Sequence, residues 1–522
     1  MKKTMKQYSF ASRLKSLALV FSIALAFASC ANEDIAQNPN DTDNNKNFTI
    51  FSTGDPATRT SMESNGAFYW EAGDKIWVKD DNGTWQQSRN APTEKTASFK
   101  FEVPGKFTKT TTYKVYYPGQ NGNQNQVTIA ANQSQAEPNT TAHFGTSGDC
   151  GMADAAWSNA KNGFAFTLDH KAAYLLFLPR TSNTILNKCY LTKVEVNSAD
   201  DITDTYTLDP TTGKLTGTGT GKQIVLTTGG SGTYANGFPL TNNSTSAATN
   251  GTYVVIKPGT HTLKIRYWVK DVATHVEGTI TKTLASATYD QNKYYNITAN
   301  LDVKNYDGDH YYQWDAKEQY WKGYEWTKNL PAGQPTLVGQ PAGNYAQNGP
   351  APRYYNESYP GYGKSNPAIH SCKDLPNANE MSWYCMYGDP RWDADELWTT
   401  MGHLYKGGMW VKKKSVLQDE GHYNSNMSYD GTDWRTTGNS NDWSVSQTLP
   451  SAADANNYFY LPALGYYVTE KLYNVGDGGY YWSSSADPRY SNYAYALFFD
   501  SIEFYVNFYT RNDGFRVEPT FE

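Results

Sequence analysis

After its first thirty residues the chain offers no long stretch with the 3.6-residue period of a helix. Short apolar runs recur instead, each ended within a few residues by Gly, Thr, Asn or Ser. A chain divided this way buries its apolar mass in strands, and its fold class is mainly β. The composition agrees. Aromatic residues make up 15% of the chain, charged residues only 18%, and 41 Tyr and 15 Trp stand among the aromatics. That is the pattern of a β-rich extracellular protein. A net charge of −6 without any basic stripe argues against nucleic acid as a partner.

The amino terminus says where such a protein is placed. Lys2, Lys3, Lys6, Arg13 and Lys15 precede an apolar segment at residues 17–27, which ends in Ala28-Ser29-Cys30. This reads as a secretory signal, too short for a spanning helix. Small residues directly before a cysteine resemble a lipobox, which implies removal of residues 1–29 and a lipid (palmitate) on Cys30. Ala31-Asn32-Glu33-Asp34 resembles the surface-export signal of Bacteroidales lipoproteins and implies an outer-membrane location, facing outwards. An ordinary signal peptide ending beside an unrelated cysteine is the plain alternative. Residues 30–47 carry little apolar mass and read as a flexible tether. No later run of 18 apolar residues occurs, so the lipid is the expected membrane anchor. About 490 residues then remain, enough for three units of ordinary size.

Thr58-Arg59-Thr60 is followed by Trp70-Glu71-Ala72-Gly73-Asp74-Lys75-Ile76. Phe164-Ala165-Phe166-Thr167-Leu168-Asp169-His170 runs into Ala172-Ala173-Tyr174-Leu175, and Lys293-Tyr294-Tyr295-Asn296-Ile297 comes later. In this order the motifs resemble the Bacteroidales fimbrillin family. The resemblance covers roughly residues 48–303 and implies two tandem β-sandwich domains, here placed at 48–160 and 161–304. It also implies assembly with fimbrial shaft subunits by strand addition, with Arg59 a candidate point of protease processing. An arginine on a strand edge is the simpler reading of Arg59. His170, beside an apolar strand, reads as a satisfied core or edge histidine. The Gly/Thr/Ser-rich stretch 213–246 reads as a long loop or hairpin.

Near residue 304 the composition changes. Tyr311-Tyr312-Gln313-Trp314 opens an aromatic-dense region, and residues 331–367 are rich in Gly, Pro and Asn, either a linker or a long loop laid over the next domain. Leu375-Pro376-Asn377-Ala378-Asn379-Glu380-Met381, Gly388-Asp389-Pro390-Arg391-Trp392, Gly407-Gly408-Met409-Trp410, Tyr481-Trp482-Ser483-Ser484-Ser485 and Gly514-Phe515-Arg516-Val517 then occur in order. Together they resemble the lectin-like domain found at the carboxyl end of many Bacteroidales surface proteins. The resemblance implies an α+β C-type-lectin-like domain over 305–522, with its last strands forming the binding face. Residues 515–521 are then spent on closing that domain and cannot be lent to a neighbour, so the expected place is a fimbrial tip or a stand-alone lipoprotein.

Residues 480–485 and the run to Asp513 combine Tyr, Asn and Ser, the composition of antibody paratopes. In Phe504-Tyr505-Val506-Asn507-Phe508-Tyr509 the even positions read as inward and the odd ones as a recognition face; Phe515 and Val517 read as inward too. Asp500-Ser501-Ile502-Glu503 reads as a hairpin connection. The candidate ligand-binding residues are Tyr490, Asn492, Tyr493, Tyr495, Tyr505, Asn507, Tyr509 and Asn512. Residues 487–513 also resemble the variable region of lectin-like proteins diversified by retroelements, although a fixed Tyr-rich face accounts for the same composition. The expected partner is a host or bacterial surface glycan or protein.

Catalysis has little support. Asp393, Asp395 and Glu396 lie close together but read as acids in a first helical turn. No Gly-x-Ser-x-Gly, HExxH or P-loop occurs, and no cysteine comes after Cys385 for the chemistry of formylglycine-generating enzymes, which share the lectin-like fold. Asp307-Gly308-Asp309 and Asp477-Gly478-Gly479 are too short to surround calcium. Neither a metal nor a cofactor is expected. Cys150–Cys189 and Cys372–Cys385 are plausible disulfides, and buried free thiols are an equal alternative. A surface adhesin is the first functional reading; a glycan-capturing or glycan-processing lipoprotein of a nutrient-uptake system is the second.

Overall fold

The computed structural model describes residues 48–53, 61–62, 68–323, 345–469, 471–518 and 521. Cys30, Arg59 and most of the amino-terminal expectations lie outside that set. The described residues are mainly β, as the punctuated apolar runs require.

The first sheet runs in the order Trp85–Gln87, Trp77–Lys79, Tyr113–Tyr117, Gly151–Ser158, Gly163–Ala165, Phe48–Ser52, Lys100–Pro104. It folds over on itself, because Phe51, Phe101 and Phe164 share one core with Val78, Val115 and Tyr117. The Trp70 to Ile76 motif is a buried turn in this core. Trp70 donates to the Thr53 hydroxyl at 3.2 Å, and the Asp74 carboxylate accepts from the Glu71 amide at 2.8 Å and the Tyr117 hydroxyl at 2.8 Å. His170 is 1% exposed, and its Nδ1 lies 2.9 Å from the Asp149 carboxylate inside the fold.

Next come two sheets with a common core. Thr252–Ile256, Ala173–Arg180 and Lys293–Asn300 form the smaller one. The larger runs Tyr458–Pro462, His403–Lys412, Arg391–Thr400, Glu277–Tyr289, Gly259–Lys270, Tyr190–Ser198, Gln223–Thr228, Asn132–Gln135. Sheet membership therefore runs across both expected boundaries. Asn132–Gln135, from before residue 160, pairs with Gln223–Thr228. Arg391–Thr400, from after residue 304, joins Glu277–Tyr289 through the parallel pair Thr279 and Glu396. Within the Gly/Thr/Ser-rich stretch 213–246, expected as a long loop or hairpin, Gln223–Thr228 is an inner strand of this sheet.

The carboxyl-terminal sheet is ordered Tyr311–Tyr312, Phe515–Arg516, Gly479–Ala486, Tyr493–Phe499, Glu503–Thr510, Asn441–Ser444. Its first strand in sequence pairs with its last, Tyr311 standing opposite Arg516 and Tyr312 opposite Phe515. The helix Ala378–Tyr387 packs on one side. It starts where it does because Asn377 and Glu380 form a reciprocal capping box, each side chain accepting from the other's amide. Ala378 donates its amide to the Ser485 hydroxyl at 3.1 Å, which seats the helix on the sheet. Gly408 is dictated by packing: a Cβ there would meet the Leu461 carbonyl at 2.4 Å. Of the residues 331–367, those described lie laid down: Tyr359 reaches the Arg489 carbonyl at 3.0 Å, and Arg511 donates to the Asn356 carbonyl at 2.7 Å.

One expectation needs correction. Tyr480 to Trp482 are 7%, 1% and 0% exposed, so this motif is scaffold, not contact surface. Its aromatic width fills the core on both sheet faces, and the Trp482 indole donates to the Tyr312 carbonyl at 2.8 Å. Of the two alternatives held open for the cysteines, the structure has the buried free thiols: all four described cysteines are free and buried. Cys385, for example, is spent on the Phe504 carbonyl at 3.2 Å.

Candidate functional site

Three strands hold the carboxyl-terminal face in register. Tyr480 stands opposite Phe498, and Phe498 opposite Tyr505; Ala496 stands opposite Asn507, and Ala494 opposite Tyr509. Side chains alternate across a sheet, so these residues share one face. Tyr481, Leu497, Phe499, Phe504 and Val506 fill the other, against the helix. The first set makes a continuous aromatic row. Ring centroids are 4.6 Å apart for Tyr480 and Phe498, 4.6 Å for Phe498 and Tyr505, and 5.2 Å for Tyr509 and Phe515. Tyr466, from the hairpin of Leu464–Val468 with Lys471–Val475, lies 4.1 Å from Tyr480, and Tyr473 extends the row at 43% exposure. Tyr466, Tyr505, Asn507 and Tyr509 are half-buried.

Burial, then the adjoining Tyr505 hydroxyl, pushes the Tyr509 phenol well above its ordinary range, and burial raises Tyr505 too, so these two phenols stay neutral. The Tyr480 hydroxyl accepts from the Asn474 amide at 3.1 Å. Neutral hydroxyls and one amide can each donate and accept, which suits a ligand carrying hydroxyl or amide groups.

The eight sequence candidates do not form one patch. Tyr505, Asn507 and Tyr509 stand together on the aromatic row. Tyr490 and Tyr493 pair with each other at 5.9 Å, and Tyr493 faces Phe508 on the opposite side of the sheet, where Arg489 lies 4.2 Å over the Phe508 ring. Asn492 and Asn512 are exposed in end turns. Tyr495 is a correction: it is fully buried, and its hydroxyl lies 2.8 Å from the Asn439 carbonyl and 3.0 Å from that of Trp434. Alternation puts it beside Leu497 in the core. The sequence reading missed Tyr466 and Tyr473, although the period-2 pattern of their hairpin was there to find.

The acidic trio is a second correction. Asp393, Asp395 and Glu396 lie on the strand Arg391–Thr400, not in a helical turn. Asp395 pairs with Lys406 at 3.1 Å. Asp393, 2% exposed, accepts from Arg266 at 2.8 Å and from the Trp410 indole at 3.1 Å. Glu396 accepts from the Thr281 amide at 2.9 Å, the Thr281 hydroxyl at 2.6 Å and the Thr279 hydroxyl at 3.1 Å. Its oxygens are spent on joining two strands. Among the described residues Asp307, Asp309 and His310 bring one donor atom each within 4.8 Å of one another, short of the six or more oxygens that calcium takes.

Burial, then the Asp393 charge, pushes Glu396 up to about 7. A carboxyl raised in the folded state adds stability at low pH that is lost as pH rises through that value. Glu396→Gln should therefore leave stability near pH 5 almost unchanged and raise it at pH 8 by on the order of 1–3 kcal/mol. Urea melts of both chains from pH 5 to 8 check this; parallel pH curves would refute it.

No helix among the described residues is long and apolar enough to cross a membrane. No protein-family model matches the chain, and no curated protein does. Solved structures show partial likeness. A Bacteroides ovatus protein provisionally assigned to cell adhesion superposes with a TM-score of 0.29 at 14% identity, over 48% of this chain and 93% of its own. One of the same description from Bacteroides uniformis gives 0.27 at 16% identity, over 49% and 94%. The fimbrial anchor protein Mfa2 of Porphyromonas gingivalis gives 0.22 at 10% identity, over 45% and 82%. Superpositions with scores this low carry no assignment of role or ligand.

Proposed function

We propose that this chain is a non-catalytic surface adhesin that binds a glycan or protein ligand on the aromatic row of its carboxyl-terminal sheet. Lipid on Cys30 would hold it outside the outer membrane, alone or at the tip of a fimbria. One observation carries the binding role: Tyr466, Tyr473, Tyr505, Asn507 and Tyr509 converge on one half-open sheet face. Rigid rings supply contact area at low entropy cost, and their hydroxyls supply adaptable hydrogen bonds. The rings also pack against Phe498 and Phe515, so truncating them would confound binding with folding.

The cleaner test is Tyr505→Phe with Tyr509→Phe, which keeps both rings and removes both hydroxyls. Attachment to cells or to immobilised glycans should fall at least ~10-fold, since each lost hydrogen bond is worth about 1 kcal/mol and its ligand partner is left unpaired. The melting temperature should move little. Unchanged attachment would remove this face as the binding surface.

A further inference from the structure

The strand Gly259–Lys270 carries Lys264 and Arg266 two residues apart, so both project from one face of the sheet. They are 8% and 7% exposed. Two like charges desolvated side by side repel, and each calls for an anion. Arg266 has one in Asp393 at 2.8 Å. The Lys264 ammonium donates to the Pro450 carbonyl, and among the described residues no carboxylate oxygen lies within 4 Å of it. The Arg266 Nε is also buried without a hydrogen-bond partner.

Both side chains line a cavity of about 180 Å³, room for one small ring. Trp410 and Tyr458 form aromatic wall, and Asn456 adds an amide, its Oδ1 held by the Thr283 hydroxyl at 2.8 Å. The Trp410 ring is fixed by its bond to Asp393 and by Tyr460, 5.0 Å away. An inorganic anion would satisfy the cations and leave the aromatic wall unused. A neutral sugar would use the wall and leave Lys264 with the Pro450 carbonyl and only the more distant charges of Glu195, Asp393 and Glu396, of which Asp393 also lines the cavity and is already paired with Arg266. A pyranose carrying a carboxylate satisfies both.

We propose that this cavity binds one uronic acid unit, its carboxylate between Lys264 and Arg266 and its ring against Trp410. The wall draws on strands from both sides of residue 304, so the sugar would bridge them. The site is independent of the Tyr505 and Tyr509 face.

Calorimetry and thermal melts of the full mature chain test it, with glucuronate and galacturonate as probes and glucose, acetate and sulfate as comparisons. A uronate should bind and raise the melting temperature, with glucose, acetate and sulfate at least ~10-fold weaker. Lys264→Met removes a buried charge at similar volume, so the unliganded protein should be as stable or more stable, while uronate affinity drops at least ~10-fold. The Tyr505→Phe/Tyr509→Phe variant should bind uronate normally. Equal binding of acetate or sulfate would reduce the cavity to an anion pocket and overturn the proposal. So would equal binding of glucose, full uronate affinity in Lys264→Met, or no binding by either uronate.

Discussion

Arg516→Ala should destabilise the protein by about 3–5 kcal/mol, the cost of removing one partner from a buried ion pair. The side chain is fully buried; one end of its guanidinium donates to the Asp307 carbonyl and the other to Glu518 at 3.0 Å, and the plane lies 4.9 Å over Tyr311. Burial works to push Glu518 up, yet the Arg516 charge and hydrogen bond hold it below its ordinary value. Without Arg516 the carboxylate keeps, among the described residues, Lys304 at 3.4 Å and the weaker influence of His310, and the pairing of the first and last strands of the sheet loses its clasp. Arg516→Lys retains charge without the planar fork and should fall between the two. Urea unfolding of the three chains measures the order; a loss under about 1 kcal/mol for Ala would show that water replaces the guanidinium.

Asp393→Ala should cost a similar ~3–5 kcal/mol, because it leaves Arg266 buried without its anion and the Trp410 indole without an acceptor. Replacing Arg266 by Met and Asp393 by Leu together should recover most of that loss, since well-packed apolar pairs substitute for buried ion pairs at little cost. The double-mutant cycle isolates the coupling. Additive losses would mean that Arg266 and Asp393 are held by other groups. The same pair bears on residues 305–522 taken alone, which would carry Asp393 and Glu396 without Arg266, Thr279 and Thr281.

What was legible in the chain was local. The Asp500 hairpin connection depends on residues a few positions apart; so do the Asn377 and Glu380 capping box and the buried Trp70 to Ile76 turn, which the sequence reading did not single out as a cap and a turn. The Asp500 carboxylate accepts from the amides of Ile502 and Glu503 at 2.7 and 2.9 Å. Alternation in residues 504–509 was legible because apolar and polar positions differ there. In residues 493–499 both faces are apolar, so Tyr495 could not be told from a surface tyrosine by period alone. Asp393 and Glu396 were misread because acids in a first helical turn and acids on a strand look alike in sequence. What separates them is Arg266, 127 residues from Asp393, and the Thr279 and Thr281 hydroxyls of a distant strand.

The larger sheet passes from Glu277–Tyr289 to Arg391–Thr400, and the chain itself crosses at 301–305, where Asn305 and Tyr306 pair with Thr399 and Thr400. Two parts joined at two separate places cannot swivel about a single pivot. The aromatic row therefore keeps a fixed bearing relative to the sandwich beneath it. A ligand held on that row, as proposed, would lose little orientational entropy to a wagging head, and a pull on it would be divided between a covalent path and the hydrogen-bonded Thr279–Glu396 seam.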